Sequence, residues 1–524
     1  DVLDNYLYCW TSTDSNDTAA ASAYGELEMV HAGLRALHPR LTTWLSTLSV
    51  DETNASPLLK DHAYNVKRAK VGAQHVMRAE LEELAASLQV TGGAAWVRFR
   101  DESDAGLETT VVEDDKEKTV SLTELESWFS SSDRDRRQAA AVAQDSAREK
   151  AAPEFASALN AIKGEALTLS KRRNWESPLD WSLYISAIDR DVLSAMFAAA
   201  ESVHGELQDY LKAKAGILGI DDFAYFDLSA PISDRAPVMT WPECADLTER
   251  VLSPFSPRMQ RVVQTALDER WVDVEPREGK VGGGYCAAIP GNGSRILINF
   301  VPAFPTVQVL AHELGHAFHN DCLNSRTDLQ RSTPMTLAET ASMFAQRLVE
   351  DAVLAESDDA DKLVALDQIV GEACGLLLDL HARFNFELEF FERRKGKTLS
   401  VAEITALMEE KQRIAFGSSL PGGVHQWQWV QKPHYYDVDF HFYNYPYQFG
   451  FLFALGLLKV YRTEGGSFVE RYETLLSRTG MASAADLAAD FGIDIRDEAF
   501  WQGSVEVIRE DVRQFIALAD QVNQ

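Results

Sequence analysis

The stretch PTVQVLAHELGHAFHNDCLN, Pro305–Asn324, is apolar over most of its first half yet carries His312, Glu313 and His316. Its spacing predicts a helix, and a helix this apolar is buried. Buried ionisable groups must be paired or bound to something, because leaving them unsatisfied costs several kcal/mol. A metal ion supplies the partner. His312 and His316 lie four residues apart, about 40° around a helix and ~6 Å along it, so both imidazoles can converge on one ion. Glu313, next to them, is placed to take a proton from a water molecule without itself being a ligand. The bland alternative is two core histidines satisfied by hydrogen bonds and a glutamate acting as a cap.

A metal that keeps a position for water needs a third protein ligand. His319 shares the helical face but lies ~10.5 Å from His312 along the axis, too far to share an ion, so a supporting or structural role is expected. The metzincin spacing fails as well, since it requires Gly where His319 stands and His where Cys322 stands. The better candidate is in STPMTLAETASMFAQRL, Ser332–Leu348. Thr333 as N-cap and Pro334 at the first helical position predict a helix with Glu339 on its second turn, among Leu337, Ala338, Ala341 and Phe344. His312, His316 and Glu339 are therefore the expected ligands of one Zn2+ per chain, a donor set that suits zinc. Glu313 is the expected general base.

These motifs resemble the M3 metallopeptidases, in particular the oligoendopeptidase F branch. The resemblance is carried by AHELGHAFH (311–319), AETASMFAQ (338–346), and KPHYY with FYNYPYQFGFLFALG (432–456). DRDRRQAA (133–140), DWSLYISAIDRDVL (180–193) and GKVGGGYC (279–286) echo it, in the expected order. The resemblance implies a mainly α fold: a large, helical, prolate body with a deep substrate channel, zinc at its floor and a small β-sheet or hairpin beside the active site. It also implies cleavage of short peptides that fit inside, and it assigns His434, Tyr443 and Tyr447 as donors to the developing oxyanion. Such donors stabilise charge that exists mainly in the transition state. The extra DVDFH between the two aromatic segments leaves Tyr435, Tyr436 or His441 as alternatives for that role, and Tyr436 is also expected to bind substrate. Gln346 stands where the family pattern usually has an acid. Gly282, Gly283 and Gly284 fit an edge strand that lets a peptide backbone approach and pair, although a tight hairpin explains them too.

The rest of the chain fits this frame. With 524 residues, 46% of them hydrophobic, it is long enough for one large core or several smaller ones. Periodicity predicts helices at 21–48, 65–87, 123–131, 134–169 and 189–215. WVRFRD (96–101) and the two halves of 109–122 read as strands, as do 280–289 and 295–300 around the turn PGNG. The expected division is a helical N-terminal lobe with a small β insert at 1–180 and a helical catalytic domain at 181–524.

Fifty basic against 80 acidic residues give a net charge of −30, which argues against nucleic acid and anionic membranes as partners. No apolar run spans a bilayer, the longest being FGFLFALGLL at 449–458. DVLDNYLYCW at the start does not read as a secretory signal. Five scattered cysteines fit a reducing, cytoplasmic setting. Two rival readings remain: an exopeptidase on the same scaffold, for which no single Arg or Lys marks a terminal clamp, and a non-catalytic peptide-binding protein, which would be expected to lack Glu313 or a ligand.

Overall fold

The computed structural model describes residues 2–35, 37–113, 116–233 and 239–522. Helices dominate, and the strands among the described residues form two small sheets, as expected for a mainly α chain. No helix among the described residues is long and apolar enough to cross a membrane.

The longest helix, Arg134–Arg172, begins where the Asp133 carboxylate accepts from the Asp135 N–H at 3.0 Å, and it ends on Lys171 and Arg172, cations suited to its negative pole. Its alanine-rich face, with Phe155, Leu159 and Ile162, packs against Phe386, Phe390, Leu407, Met408, Trp429 and Tyr435. A larger core joins Leu310, Leu314 and Phe318 of the motif helix to Phe344, Phe449, Phe453, Trp501 and Phe515. This core fixes the motif helix, Phe304–Leu323, against the helix Thr340–Glu356. The crossing needs Gly315: a Cβ there would lie 2.5 Å from the Ala341 carbonyl oxygen and 2.6 Å from the Ser342 Cα, both backbone atoms that cannot swing away. Gly315→Ala is expected to destabilise the fold by about 1–3 kcal/mol, read from the denaturation midpoint.

Several expected elements differ in detail. The helices expected at 21–48, 65–87 and 189–215 are each two: Thr18–Arg35 with His38–Thr47, Ala63–Ala73 with Ala79–Thr91, and Arg190–Glu201 with His204–Leu218. WVRFRD is not a strand but part of the helix Gly93–Ala105. Its alternation of apolar and basic residues imitates a strand, yet Arg100 is itself buried, donating to the Val430 and Gln431 carbonyls at 3.2 and 2.8 Å and pairing with Asp104 one turn on. The hairpin Glu108–Glu113 with Lys116–Ser121 stands where expected. The second sheet is smaller than expected: Tyr285–Ala288 pairs antiparallel with Ser294–Leu297, which pairs parallel with Val272–Asp273.

Candidate active site

The motif helix presents His312 and His316 on one face with ring centroids 4.9 Å apart. Glu339 meets them, its Oε2 lying 3.1 Å from His312 Nε2 and 3.3 Å from His316 Nε2. Glu339 is not on the second turn of a continuous helix. A single turn, Met335–Ala338, ends at Glu339 with φ −86° and ψ 2°, and a new helix begins at Thr340. That bridge conformation, common in active sites, turns the carboxylate toward the histidines. Ser342 Oγ donates to Glu339 Oε2 at 2.7 Å, and Gly450 lets the following helix, Tyr445–Glu464, press to 2.6 Å of Glu339 Cβ measured from where its own Cβ would be.

The donor atoms of the three residues all lie within 4.8 Å of one another. Burial opposes charge on His312, but the Glu339 carboxylate outweighs it and pushes the imidazole up to about 9. Burial likewise opposes charge on Glu339, and the two histidines overcome it, holding the carboxyl far below the usual range. Two imidazoles and an ionised carboxylate converging in this way fit a divalent metal ion.

Behind His312 stands a polar network that sequence reading did not reveal. Gln346 Nε2 donates to Glu350 Oε1 at 2.9 Å and to Glu372 Oε2 at 2.7 Å, while Gln308 Nε2 donates to Glu350 Oε1 at 2.7 Å. With its amide NH2 spent on carboxylates, Gln346 turns Oε1 toward His312 Nδ1, 3.0 Å away. An amide oxygen only accepts, so Nδ1 keeps a hydrogen, and Nε2 is the nitrogen that would give up its proton to become a ligand. The amide thus keeps the contact expected of an acid at this position. Burial and the adjacent Glu350 push the Glu372 carboxyl up. Gln346→Leu is expected to weaken metal affinity about 10–100-fold in a competition titration, because the ring loses its orienting partner.

Glu313 is 5% exposed, and burial raises its carboxyl above the ordinary range. Its Oε2 is buried with no hydrogen-bond partner, an orphaned acceptor that fits a group placed to accept a proton beside the ligand trio. Gly284 borders it: a Cβ there would lie 3.2 Å from Glu313 Oε1. Gly282 and Gly283 are exposed and open, and Gly283 adopts φ +82°. Of the three glycines, Gly284 lines the cavity. Of the other histidine on the helix, His319, Nε2 pairs with Thr479 Oγ1 at 3.0 Å in a fully enclosed setting, away from the trio.

The aromatic residues divide in two. His434 stacks on Tyr443 with centroids 4.6 Å apart, Tyr447 donates to Tyr443 at 3.4 Å between hydroxyls, and the Tyr447 phenol feels the charge of Glu339. All three are half-buried. Burial, then Arg383, lowers His434 to about 4, so its ring is neutral at pH 7 and able to donate. Tyr435, Tyr436 and His441 turn inward instead. Tyr436, expected to bind substrate, is 1% exposed and donates to the Trp429 carbonyl at 2.9 Å, so its phenol is committed to the core. Tyr435 is fully buried, and His441 Nδ1 lies 3.2 Å from Lys163 Nζ.

A cavity of about 840 Å³ opens from His312, Glu313 and Gly284 and extends to Asp379, Arg383 and Lys432. Its size suits a short stretch of peptide. The model of peptidase family M3 matches residues 127–507 of this chain, and a model described as oligopeptidase F matches residues 50–108. Group B oligopeptidase PepB of Streptococcus agalactiae is 23% identical over 461 residues, spanning 87% of this chain and 76% of that protein. Oligoendopeptidase F (plasmid) of Lactococcus lactis subsp. cremoris is 22% identical, spanning 88% and 77%. Among solved structures, one from Chlamydophila abortus superposes with a TM-score of 0.84 at 20% identity, covering 98% of this chain and 88% of that one. Oligoendopeptidase-F from Enterococcus faecium gives 0.73 at 18% identity, covering 99% and 90%.

Proposed function

The chain belongs to peptidase family M3, and on that footing we propose that it is a zinc-dependent endopeptidase cutting short peptides at internal bonds. The observation that carries the proposal is the convergence of His312, His316 and Glu339 beside the partnerless Glu313 oxygen. The oligoendopeptidase and oligopeptidase names of its relatives support the substrate class.

His312, His316 and Glu339 would hold the zinc ion, which when bound would supply a Lewis acid able to polarise a carbonyl and to lower the pKa of a water molecule. Glu313, kept basic in a buried setting, takes the proton of the attacking water and later delivers it to the leaving amine. Neutral His434 with Tyr443 and Tyr447 donate hydrogen bonds to the oxygen that becomes negative, which favours the transition state over the bound substrate. Gly284 keeps the approach to Glu313 open. Five free thiols among the described residues support the cytoplasmic part of the reading.

The test is hydrolysis of an internally quenched peptide blocked at both ends, with chelator and with zinc restored. Chelator-sensitive internal cleavage, regained with zinc, is expected. Cleavage of free-ended peptides alone would move the assignment to an exopeptidase, and no turnover by zinc-loaded protein would defeat it.

A further inference from the structure

The wall of the cavity carries two cations, Arg383 and Lys432, whose hydrogen-bonding capacity the protein does not use up. Arg383, from the helix Leu380–Arg394, and Lys432, just after the turn Gln428–Gln431, both line it. Arg383 is 9% exposed and pairs through Nη2 with Asp379, which lies in a π-helical turn, Gly375–Asp379. Its Nε is buried without a hydrogen-bond partner. The second oxygen of Asp379 is also engaged, accepting from Gln428 Nε2 at 2.6 Å. Lys432 Nζ makes no ion pair or hydrogen bond with any described residue, and its pKa is pulled below the ordinary lysine value by burial and by the neighbouring Arg383. Asp379 is thus taken up by Arg383 and Gln428, and Glu126, the other carboxylate whose charge reaches Lys432, accepts from Gln431 Nε2 at 3.1 Å and lies 3.9 Å from Arg148, so neither pairs directly with the ammonium.

A partly desolvated, unpaired ammonium beside a guanidinium is unfavourable by itself. It stands out in a chain with 80 acidic residues against 50 basic, where carboxylates are plentiful. The other lysine of the cavity shows the contrast: Lys214 is neutralised by Asp367 at 2.9 Å. The unpaired Lys432 ammonium and the free Arg383 Nε are thus left for an anion that enters the cavity. An Arg fork with a Lys point charge is the usual receptor for a carboxylate.

We propose, resting on the peptidase reading above, that Lys432 and Arg383 form a carboxylate clamp that holds the C-terminal carboxylate, or an acidic side chain, of the bound peptide. His434 follows Lys432 by two residues and stacks on Tyr443, so the clamp is continuous with the proposed oxyanion donors. Anchoring one end of the substrate there fixes where its backbone crosses the metal trio.

The experiment compares three quenched peptides of one length: a C-terminal acid, the same sequence as a C-terminal amide, and that amide with one neutral residue replaced by glutamate. Zinc-loaded wild type is expected to cleave one of the two anionic peptides with kcat/KM about 10-fold or more above the plain amide, mainly through KM. Preference for the acid identifies the C-terminus as the anion, and preference for the glutamate peptide identifies a side chain. In Lys432→Met the ratio is expected to collapse toward one, and Lys432→Arg is expected to restore most of it. Equal rates on all three peptides in wild type, or a ratio unchanged in Lys432→Met, would overturn the clamp. If no peptide is cleaved, the function proposal fails, and calorimetric binding of acid and amide peptides to the wild-type protein still decides the clamp: tighter binding of an anionic peptide, lost in Lys432→Met, supports it, and equal binding overturns it.

Discussion

Glu313→Gln is expected to keep one zinc per chain and to lose about 10²–10⁴-fold in kcat, the contribution of a positioned general base. The two properties separate because Glu313 lies beside the ligands without being one. Its Oε2 has no protein partner, and at Gly284 a Cβ would lie 3.2 Å from its Oε1. Glutamine keeps the size of the side chain and loses the basic oxygen, so the helix and the trio stay as they are. Metal content by elemental analysis and turnover on the blocked peptide give the two readings. Retained turnover would assign proton transfer to another group, and lost metal would make Glu313 part of the ligand set.

Glu387→Leu is expected to remove about 3–5 kcal/mol of stability, the usual cost of leaving one half of a buried ion pair. Glu387 and Lys163 are each 1% exposed and meet at 2.6 Å, with His441 Nδ1 on the far side of the ammonium at 3.2 Å. The same Glu387 oxygen accepts the Phe442 N–H at 3.1 Å, where Phe442 holds φ 59°, an unfavourable conformation for a bulky residue. The pair therefore pins the turn that delivers Tyr443 against His434. Removing both charges in Lys163→Met/Glu387→Leu is expected to regain most of the lost stability, because no charge is left stranded, while kcat stays low because Phe442 remains unanchored. Urea midpoints and turnover of the double variant check this. A double variant as unstable as the single one would contradict the ion-pair account, and full activity would contradict the anchoring role.

The motif helix was readable because a 3.6-residue period places positions 312 and 316 on one face whatever surrounds them. Glu339 was readable as a partner but not in its backbone: the apolar spacing from Pro334 onward continues straight through the break, and the turn at Glu339 depends on Gly450 in a helix more than a hundred residues later. The Gln346 network was hidden because, although Glu350 is one turn away on the same helix, Glu372 comes from the next helix, Asp359–Cys374, and only packing brings the two together. WVRFRD misled because a buried arginine looks like an exposed strand position until its carbonyl partners at Val430 and Gln431 are known. Among the aromatic residues, side-chain type did not say which stay half-exposed and which enter the core. Tyr436 and Tyr443 are chemically alike, and only packing separates them.

The most direct test of the central claim is zinc titration of the metal-free protein, comparing wild type with Glu339→Ala. The account predicts one tight equivalent per chain in wild type and much weaker uptake in Glu339→Ala, since two imidazoles alone remain. Equal stoichiometric uptake by both proteins would show that His312, His316 and Glu339 are not the metal site.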